Sequence, residues 1–490
     1  MSHDQSIGVV LDQLLPSATR TGSAGMAVTS CTSDWRRVRP GDAFVAVLSD
    51  DDDGHDDVTQ AVERGAVAVI AERPVPVFSV PVYLVEDSRV ALGELCHALA
   101  GHPSQQLRVI GVVGTQGKST VIALLESIYA AAGCEVGVLS SLKSYDGMTS
   151  GPGLAEATSP AALAARLARM EAAGCTHALI EISSQALCQG KLAGIELDTV
   201  CGTTVDSARL DLHHTTKNYR DAQRRVLEYL SPAGLAVLNA DDPVSCRWLS
   251  EIDAPSLTYG LGDQAQITAE VVERSPGETV FILTAGCESA AVRTAVIGDH
   301  HVSNCLAAAT TALAHGIDLQ TIAAGIEAVQ KIPARMERID CGQDFPVFVD
   351  AAHNAPALRA TLLTARQLAV GRVICVLGDS LPRNSAEADV TRGVVRRLSD
   401  VAIVTESLTS LDSAWLDDSD SDSESKLQVA VDRGEAIAWA VSLAEQGDVV
   451  VIAGSRGHGE CGFGAVDVTD ADAARELLYA CNGPALRLVA

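Results

Sequence analysis

The stretch RVIGVVGTQGKST, residues 108–120, combines residue types that could bind a chain of phosphates. An apolar run that predicts a strand leads into a glycine-containing turn, and IALLESIYAAAG then predicts a helix. Such a turn directs backbone N–H groups and a helix N-terminus at phosphate oxygens, with Lys118 available for the terminal phosphates and Ser119 for Mg²⁺. The strict phosphate-loop pattern requires glycine where this chain has Val112, so the turn is a variant of that pattern.

A carboxylate that could complete a metal site follows a second predicted strand. Glu181 lies at the end of the apolar run HALIEI, and the carboxyl ends of parallel strands border the ligand crevice of a sheet. There it could hold Mg²⁺, either directly or through water. The alternative is a strand-end carboxylate that caps a helix. The metal role is favoured because nucleotide sites usually pair a phosphate loop with such a carboxylate.

Two further motifs could contact the rest of a nucleotide. In VFVDAAHNAPALRATL, Asp350 and His353 follow a buried strand and precede a helix, where a carboxylate can bind ribose hydroxyls. A helix cap and a surface histidine explain the same residues equally well. In GDHHVSNCLAAA, Asn304 opens an alanine-rich helix and could bind the edge of a base, although helix capping is the ordinary explanation.

The elements that must position these residues alternate between short apolar strands and Ala/Leu-rich helices from about Val80 onward. This alternation predicts an α/β protein with doubly wound parallel sheets. The stretch Gln266–Ile297 is alternating and polar and predicts an antiparallel edge or insertion. Boundaries near 101–106 and 331–334 divide the chain into three predicted domains, 1–105, 106–332 and 333–490.

Composition narrows the class of protein. A chain of 490 residues is too long for one core, and 47% apolar with only 3% aromatic residues favours interiors of Ala, Val, Leu and Ile. The formal charge of −27 argues against nonspecific binding to nucleic acid or to an anionic membrane, and it otherwise serves solubility. An acidic run at Asp417–Ser425 predicts a disordered loop, and a solvated loop explains Asp50–Asp53 better than a metal site does.

The cysteines and the N-terminus indicate a cytoplasmic protein. Thirteen cysteines occur without a CxxC pair or regular spacing, as expected of small buried apolar residues in a reducing compartment. The first twenty residues lack the basic start and apolar core of a signal peptide. No apolar run approaches the length of a membrane span, so no membrane insertion is expected.

Taken in order, these motifs resemble the Mur ligases, and in particular their MurE branch. The resemblance covers nearly the whole chain. SDWRRVRPGDAFVAV resembles the family's UDP-binding domain, GTQGKST its phosphate loop and ATSP its substrate turn. IEISSQALCQGKL is the most specific match, and NADDP, GDHHVSN, PARMER, VDAAHN and DRGEAIAWA follow in register. Folylpolyglutamate synthase shares the loop but lacks the first domain and the SSxAL motif.

The resemblance implies three α/β domains: a UDP-substrate domain, a central parallel-sheet ATPase domain and a C-terminal Rossmann-like domain. It also implies an ATP- and Mg²⁺-dependent ligase that adds a free amino acid to UDP-N-acetylmuramoyl-L-alanyl-D-glutamate in peptidoglycan precursor synthesis. ATP would phosphorylate the terminal carboxylate of this substrate, and the amine would attack the acyl phosphate. The partners would be these small molecules alone, without nucleic acid, and the protein is expected to be a monomer.

Site residues follow from the resemblance position by position. The residues implied to act in catalysis are Lys118, Glu181, Arg209 and Arg335. The loop residues implied to bind ATP are Gly114, Thr115, Gly117, Lys118, Ser119 and Thr120. Asn304 would bind the adenine and Asp350 the ribose. His353 would also bind ATP, because it and Arg335 would reach the phosphates when the C-terminal domain closes. Ser119 and Glu181 would hold Mg²⁺. Those implied to bind the UDP-linked dipeptide are Ser33, His55, Thr158, Ser159, Ser184, Gln189 and Lys191.

The chain departs from the family at its second metal site. Ala208 and Arg209 replace an Asp-His pair, and Gln223 replaces a lysine that the family carbamylates. Arg209 could put a permanent positive charge where that metal would bind. Alternatively, the protein is a paralogue that binds nucleotide and ligates poorly or not at all. A related ligase acting on another carboxylate is a third hypothesis, which the first-domain segment RPGDAFVAV disfavours.

The amino-acid pocket has changed as well. Ser407–Ser410 replace a DNPR motif whose arginine grips the distal carboxylate of diaminopimelate. Arg456, His458 and Glu460 are shifted by an insertion relative to the family's AGKGHE motif, and Arg383 is what remains of a GGDRD loop. The sequence therefore does not identify the amino acid that is added.

Overall fold

The structure is a computed structural model. It describes residues 8–48, 52–153, 159–206, 210–378, 385–405, 426–430, 432–454 and 469–482. The chain divides into two compact units, which are Met1–Ile122 with Ala132–Thr258, and Ala123–Ala131 with Tyr259–Ala490.

The N-terminal part of the first unit is built on a five-stranded sheet of order β2-β7-β6-β5-β4. The sheet consists of β2 (Thr19–Thr21), β4 (Cys31–Thr32), β5 (Ala43–Val45), β6 (Ala68–Ala71) and β7 (Val82–Leu84). Strands β1 (Val9–Val10) and β3 (Ala27–Val28) form a separate pair. Its helices are α1 (Leu11–Leu14), α2 (Val58–Glu63) and α3 (Ser88–Leu99). Strands β4 to β7 run parallel and β2 is antiparallel, and apolar clusters cover both faces.

The central part of the first unit has a mostly parallel sheet. Its strands are β8 (Arg108–Val113), β9 (Val136–Leu139), β10 (Lys143–Tyr145), β11 (Ser150–Pro152), β12 (His177–Glu181), β13 (Leu197–Gly202) and β14 (Leu230–Asn239), followed by β15 (Ser256–Gly260). The order from the edge is β11-β10-β9-β12-β8-β13-β14, and only β10 and β11 pair in the antiparallel sense. Helix α4 (Lys118–Ala131) begins in this unit, and its residues from Ala123 onward belong to the second unit. The other helices are α5 (Pro160–Ala172), α6 (Ser184–Cys188), α7 (Leu210–His213), α8 (Thr216–Arg224) and α9 (Pro243–Leu249).

The run NYRDAQRRVLEYL, which predicts one helix, is only partly helical. Helix α8 begins after Thr215, whose hydroxyl accepts from Asn218 N–H, and ends at Arg224. A 3₁₀ turn over Arg225–Tyr229 then leads directly into β14. The chain enters β14 at Leu230, and the proline at 232 keeps the residue before it extended.

The second unit opens with the strands that the alternating pattern of 266–297 predicted. Strands β16 (Ile267–Arg274), β17 (Thr279–Ala285) and β18 (Glu288–Thr294) form an antiparallel meander, which confirms that expectation. Helices α10 (Asp299–Ala314) and α11 (Leu319–Ala328) follow.

A six-stranded sheet of order β19-β20-β24-β21-β22-β23 follows in the same unit. Its strands are β19 (Glu337–Ile339), β20 (Val347–Asp350), β21 (Val373–Leu377), β22 (Val401–Thr405), β23 (Lys426–Ala430) and β24 (Val449–Ala453). All but β19 are parallel, and their Val/Ile-rich sequences are buried between two apolar clusters. The helices are α12 (Ala355–Leu368), α13 (Ser385–Leu398), α14 (Arg433–Leu443) and α15 (Asp470–Asn482), and the predicted α/β class with parallel sheets is confirmed.

Candidate functional site

The glycine turn between β8 and α4 has the shape of a phosphate-binding loop. Gly114 and Gly117 have positive φ angles of 140° and 87°, which favour glycine. A Cβ atom on Gly114 would lie 2.1 Å from Thr203 Oγ1, so the neighbouring strand end excludes any side chain there. Thr203 Oγ1 in turn lies 3.0 Å from the Val113 carbonyl oxygen and 2.5 Å from that of Gln116. Helix α4 begins directly after this turn, so its N-terminal N–H groups and dipole favour an anion.

Lys118, Ser119 and Glu181 form one polar cluster on this loop. Lys118 Nζ donates to the Gly114 carbonyl at 2.9 Å and lies 3.9 Å from Glu181 Oε1. Ser119 Oγ donates to Glu181 Oε2 at 3.0 Å. The side chains of Lys118 and Glu181 are 17% and 14% exposed, so the charges are shielded but remain accessible. A hydroxyl and a carboxylate in contact are the oxygen donors that Mg²⁺ prefers, so the residues present fit this ion.

Ser141 belongs to the same cluster, although the sequence analysis did not identify it. Its N–H and its hydroxyl both donate to Glu181 Oε2 at 2.9 Å, and the two serine hydroxyls of Ser141 and Ser119 are 2.9 Å apart. Ser141 follows β9, which pairs directly with the strand that carries Glu181. The only signal in the sequence is a pair of serines directly after an apolar strand.

Helix α8 supports the loop from a second direction. Tyr219 places its hydroxyl 2.8 Å from Thr115 Oγ1, which also accepts from the Asp206 N–H at 2.9 Å. Gln223 Nε2 donates to the Tyr219 hydroxyl at 2.8 Å and to the Gly114 carbonyl at 3.4 Å. Gln223 is 1% exposed, and within the described part of the chain its Oε1 has no hydrogen-bond partner. The position that departs from the family therefore contacts the phosphate loop through a neutral amide.

The predicted dipeptide-binding residues of the first unit differ in how far their side chains are buried. Ser184 is buried, and its Oγ lies 2.9 Å from Nε2 of His213, a residue that the sequence analysis did not single out. Ser159 is exposed and caps helix α5 through the Ala162 N–H. Gln189 and Lys191 follow helix α6, where both side chains are half-buried. Their contacts with a substrate stay predictions.

Ser33 and His55, the predicted uridine-diphosphate contacts, lie in the N-terminal part of the same unit. Ser33 is exposed in the turn after β4. The ring of His55 is buried, with Nδ1 2.6 Å from Asp53 Oδ1 and Nε2 accepting from the Glu72 N–H at 3.0 Å. Because both ring nitrogens have protein partners, the structure gives His55 a role in fixing its loop, and its contact with substrate stays a prediction.

In the second unit, Asn304 lies within helix α10 next to two histidines. Its Nδ2 is 3.3 Å from His301 Nδ1, and the rings of His300 and His301 lie 4.1 Å apart. Burial lowers the pKa of His301 well below 6.5 and also lowers that of His300, which the neighbouring Asp350 and Asp299 carboxylates partly oppose. A neutral His301 accepts from the Asn304 amide, which fixes how this amide is oriented.

Asp350 holds together the chain segment that carries Arg335. Its carboxylate accepts from the N–H groups of Met336 at 2.8 Å and Ala352 at 2.9 Å and from the Thr361 hydroxyl at 3.1 Å. Ala334 and Met336, on either side of Arg335, have positive φ angles of 51° and 44°. Such backbone strain in non-glycine residues persists only where the surroundings impose it.

Only part of the remaining predicted residues lies in the segments that the structure describes. His353 is exposed, with Nδ1 3.0 Å from the Ala351 carbonyl oxygen, as the surface-histidine alternative expects, and helix α12 is capped by Asn354, whose Oδ1 accepts from the Ala357 N–H at 3.0 Å. Several predicted positions lie outside the described residues, namely Thr158, Ala208, Arg209, Arg383, Ser407, Leu408, Thr409, Ser410, Arg456, His458 and Glu460.

The described residues contain neither a cluster of metal-binding side chains nor a helix that could cross a membrane. No group of three or more His, Cys, Asp and Glu side chains that could hold a metal ion occurs among them. In the same part of the chain, no helix combines the length and the apolar character that crossing a membrane requires.

Comparisons with known proteins identify relatives along most of the chain. The family model described as the Mur ligase middle domain matches residues 112–312, and the model described as the Mur ligase, glutamate ligase domain matches residues 334–456. The matched regions contain the phosphate loop and Asp350, respectively.

Curated relatives cover the N-terminal part as well. The UDP-N-acetylmuramoyl-L-alanyl-D-glutamate–2,6-diaminopimelate ligase of Geobacillus kaustophilus is 36% identical over 442 residues, covering 88% of this chain and 90% of the relative. The UDP-N-acetylmuramyl-tripeptide synthetase of a Roseiflexus species is 34% identical and covers 89% of this chain and 91% of its own length.

A solved structure of a UDP-N-acetylmuramoyl-L-alanyl-D-glutamate–2,6-diaminopimelate ligase shares the fold. It superimposes with a TM-score of 0.72 at 23% identity and covers 98% of this chain and 100% of its own. The fold agrees with the two family models and with relatives above 30% identity over about nine tenths of the sequence. The chain belongs to the Mur ligase family.

Proposed function

We propose that this protein is an ATP-dependent, ADP-forming ligase of the MurE type. It joins the amine of an amino acid to the terminal carboxylate of UDP-N-acetylmuramoyl-L-alanyl-D-glutamate, a step of peptidoglycan precursor synthesis. The observation that carries this proposal is the contact of Lys118 and Ser119 with Glu181 on a phosphate-binding loop, in a chain whose relatives are named as ligases of this substrate.

The proposed chemistry has two steps. A carboxylate oxygen of the dipeptide forms a bond to the terminal phosphorus of ATP, and ADP leaves. The amine of the amino acid then attacks the carbonyl carbon of this acyl phosphate, loses a proton, and inorganic phosphate leaves. Most of the barrier is electrostatic, because negative charge accumulates on the transferring phosphoryl group.

The loop residues match these requirements. Lys118 holds a fixed positive charge beside the Gly114 carbonyl, where it can neutralise charge on a terminal phosphate. Ser119 and Glu181 would hold Mg²⁺, which supplies further positive charge when bound. The Lys118 ammonium faces the Gly114 and Thr115 carbonyls and Glu181, so it lies at the loop where the phosphate oxygens of ATP are proposed to bind.

The nucleotide contacts of the second unit are part of the proposal. Asn304 is proposed to bind the adenine, with its amide oriented by the neutral ring of His301. Asp350 is proposed to act at the ribose, and Arg335 and His353 at phosphates. The three hydrogen bonds that Asp350 accepts from its own chain also assign it a role in shaping the Arg335 segment. The cytoplasmic location and the monomeric state stay predictions.

Diaminopimelate is the first amino acid to test. One relative above carries it in its name, but this chain has serines and no arginine at 407–410, where the resemblance implies a carboxylate grip. Ligation of diaminopimelate therefore requires another cation for its distal carboxylate. A neutral or basic amino acid would not require such a group.

The alternative is a nucleotide-binding paralogue with degraded activity, and the names of the relatives, a ligase and a synthetase, do not favour it. A phosphate-release assay separates the two hypotheses. With ATP, Mg²⁺ and the UDP-linked dipeptide present, adding an amino-acid panel is expected to start sustained phosphate release, and omitting any one substrate is expected to stop it. Nucleotide binding without phosphate release under every combination would establish the paralogue instead.

A further inference from the structure

Two cysteines distant in sequence have their thiols in contact in the N-terminal part of the first unit. Cys31 lies in edge strand β4 and Cys96 in helix α3, 65 positions apart, and their sulfur atoms are 3.6 Å from each other. Both are free thiols in the structure. A disulfide has a sulfur–sulfur length of about 2.05 Å, so the two sulfur atoms would have to approach each other by about 1.5 Å to form one.

The surroundings give the two thiols different properties. Cys96 is 6% exposed, whereas Cys31 is half-buried and packs against the apolar cluster that includes Ala91 and Leu95. The hydrogen bond between the thiols, together with burial and the Asp42 carboxylate, raises the pKa of Cys31. The same hydrogen bond lowers the pKa of Cys96.

Strand β4 is a short edge strand, so a covalent bond there would add a second attachment. It is two residues long and, among the described strands, pairs with β5 alone, through Cys31 opposite Ala43 and Thr32 opposite Phe44. The turn with Ser33 follows directly. A bond from Cys31 to helix α3 would tie this short edge strand to a helix of twelve residues.

We propose that Cys31 and Cys96 form a reversible disulfide when the folded protein meets a two-electron oxidant such as hydrogen peroxide. One thiol of the pair loses its proton and attacks one peroxide oxygen as the thiolate, the oxygen–oxygen bond breaks, and the departing hydroxide takes up that proton, so a sulfenic acid and water result. The sulfur of the second thiol then attacks the sulfenic sulfur, and the hydroxyl group leaves as a second water with the proton of the second thiol. In sum, two thiols and one peroxide give one disulfide and two waters, and a dithiol reductant reverses the reaction. This site is independent of the proposed ligase activity.

Mass spectrometry of the full-length protein tests the proposal. The native protein is treated with equimolar hydrogen peroxide, its remaining thiols are alkylated, and proteolytic peptides are mapped. We expect a peptide pair linked through Cys31 and Cys96, with a mass 2 Da below the sum of the two free peptides, and its loss after dithiothreitol. Cys246→Ser, which removes an exposed thiol elsewhere in the unit, is expected to leave the link intact.

Two cysteine variants and the melting temperature of the oxidised protein test the proposal further. Cys31→Ser and Cys96→Ser are expected to abolish the link while circular dichroism shows an unchanged fold. The oxidised protein is expected to melt several degrees above the reduced protein, because the link restricts the unfolded chain. Recovery of Cys31 and Cys96 as separately alkylated or sulfinic residues in the folded protein would overturn the proposal. An oxidised protein that melts no higher than the reduced one would contradict the tethering of β4.

Discussion

At the scale of single residues, the proposed ligase mechanism depends first on Lys118, whose ammonium lies on the phosphate loop 3.9 Å from Glu181. Lys118→Ala is expected to lower kcat by about a hundredfold to a thousandfold, because it removes a positive charge from the site where charge develops. Phosphate release at saturating substrates measures this. Lys217→Ala, which removes an exposed lysine, is the matched control and is expected to keep full activity. Equal activity of both variants would remove Lys118 from the mechanism.

A second residue-scale prediction concerns Gln223. Gln223→Ala removes the amide that bonds to the Tyr219 hydroxyl and to the Gly114 carbonyl. Two such bonds are together worth about 1–3 kcal/mol and the amide is buried, so we expect the free energy of unfolding to fall by about that amount and, because the loop loses this support, the Kd for ATP to rise roughly tenfold. Isothermal titration with a nonhydrolysable ATP analogue measures this change. Gln223→Glu, which keeps the size and adds a negative charge beside the loop, is expected to weaken binding further; unchanged binding in both variants would exclude a supporting role.

The sequence predicted some site residues and missed others for a physical reason. Lys118, Ser119 and Glu181 occur in local patterns whose chemistry can be recognised without a structure. Ser141 and Tyr219 contact the same loop from distant parts of the chain, and no local pattern records that contact. For His55 the family resemblance implied a contact with substrate, but its two internal hydrogen bonds become visible only in the structure.

At the scale of secondary structure, the phosphate loop depends on glycine for two separable reasons. Gly114 has a positive φ angle, and a Cβ there would also collide with Thr203 Oγ1. Gly174, after helix α5, likewise has a positive φ angle of 85° but has nothing within 4 Å of a Cβ. Gly114→Ala is therefore expected to weaken ATP binding at least tenfold, whereas Gly174→Ala is expected to cost only about 1 kcal/mol of stability.

Titration calorimetry and urea unfolding of both variants distinguish these effects. If Gly174→Ala weakens ATP binding as much as Gly114→Ala, then general backbone strain explains the loss and the shape of the loop does not.

The elements themselves were largely predictable, because buried parallel strands have continuous apolar sequences such as VIGVVG and VVVIA. The polar alternation of 266–297 likewise predicted the antiparallel meander. The 3₁₀ turn at Arg225–Tyr229 was missed because its residues have ordinary helical periodicity, and the chain is turned into β14 by tertiary packing. Periodicity reports which face is buried and does not report where a helix must stop.

At the scale of the whole molecule, each compact unit is made of two separate stretches of the chain, not of one continuous segment. Helix α3 contacts the turn around Ala193, since a Cβ on Gly93 would lie 2.4 Å from the Ala193 Cβ. The Ser104 hydroxyl accepts from the Glu196 N–H at 3.2 Å. These contacts join N-terminal and central segments within the first unit, and composition alone could not indicate them. The domain limits at 105 and 332 stay a prediction.

Whole-molecule stability is expected to depend on pH through His97. This histidine is fully buried, neither ring nitrogen has a hydrogen-bond partner among the described residues, and burial lowers its pKa to about 4. In the unfolded chain this histidine binds a proton near pH 6.5, whereas in the folded protein it stays neutral down to about pH 4. The free energy of unfolding that the neutral ring contributes is therefore complete above pH 6.5 and is lost as the pH falls toward 4.

Urea unfolding across this pH range measures the effect. We expect the native protein to lose about 3 kcal/mol more than His97→Phe between pH 7 and pH 4. Parallel stability profiles of the two proteins would show that His97 does not titrate in this way.

The central claim is that this chain forms an amide bond on a UDP-linked dipeptide. The most direct measurement is the mass of the nucleotide product after incubation with ATP, Mg²⁺, UDP-N-acetylmuramoyl-L-alanyl-D-glutamate and a mixture of amino acids that includes diaminopimelate. The account predicts a product heavier than the dipeptide by one amino acid minus one water, with an equal amount of ADP, and no product from Lys118→Ala. An unchanged dipeptide mass with native protein that binds ATP would contradict it.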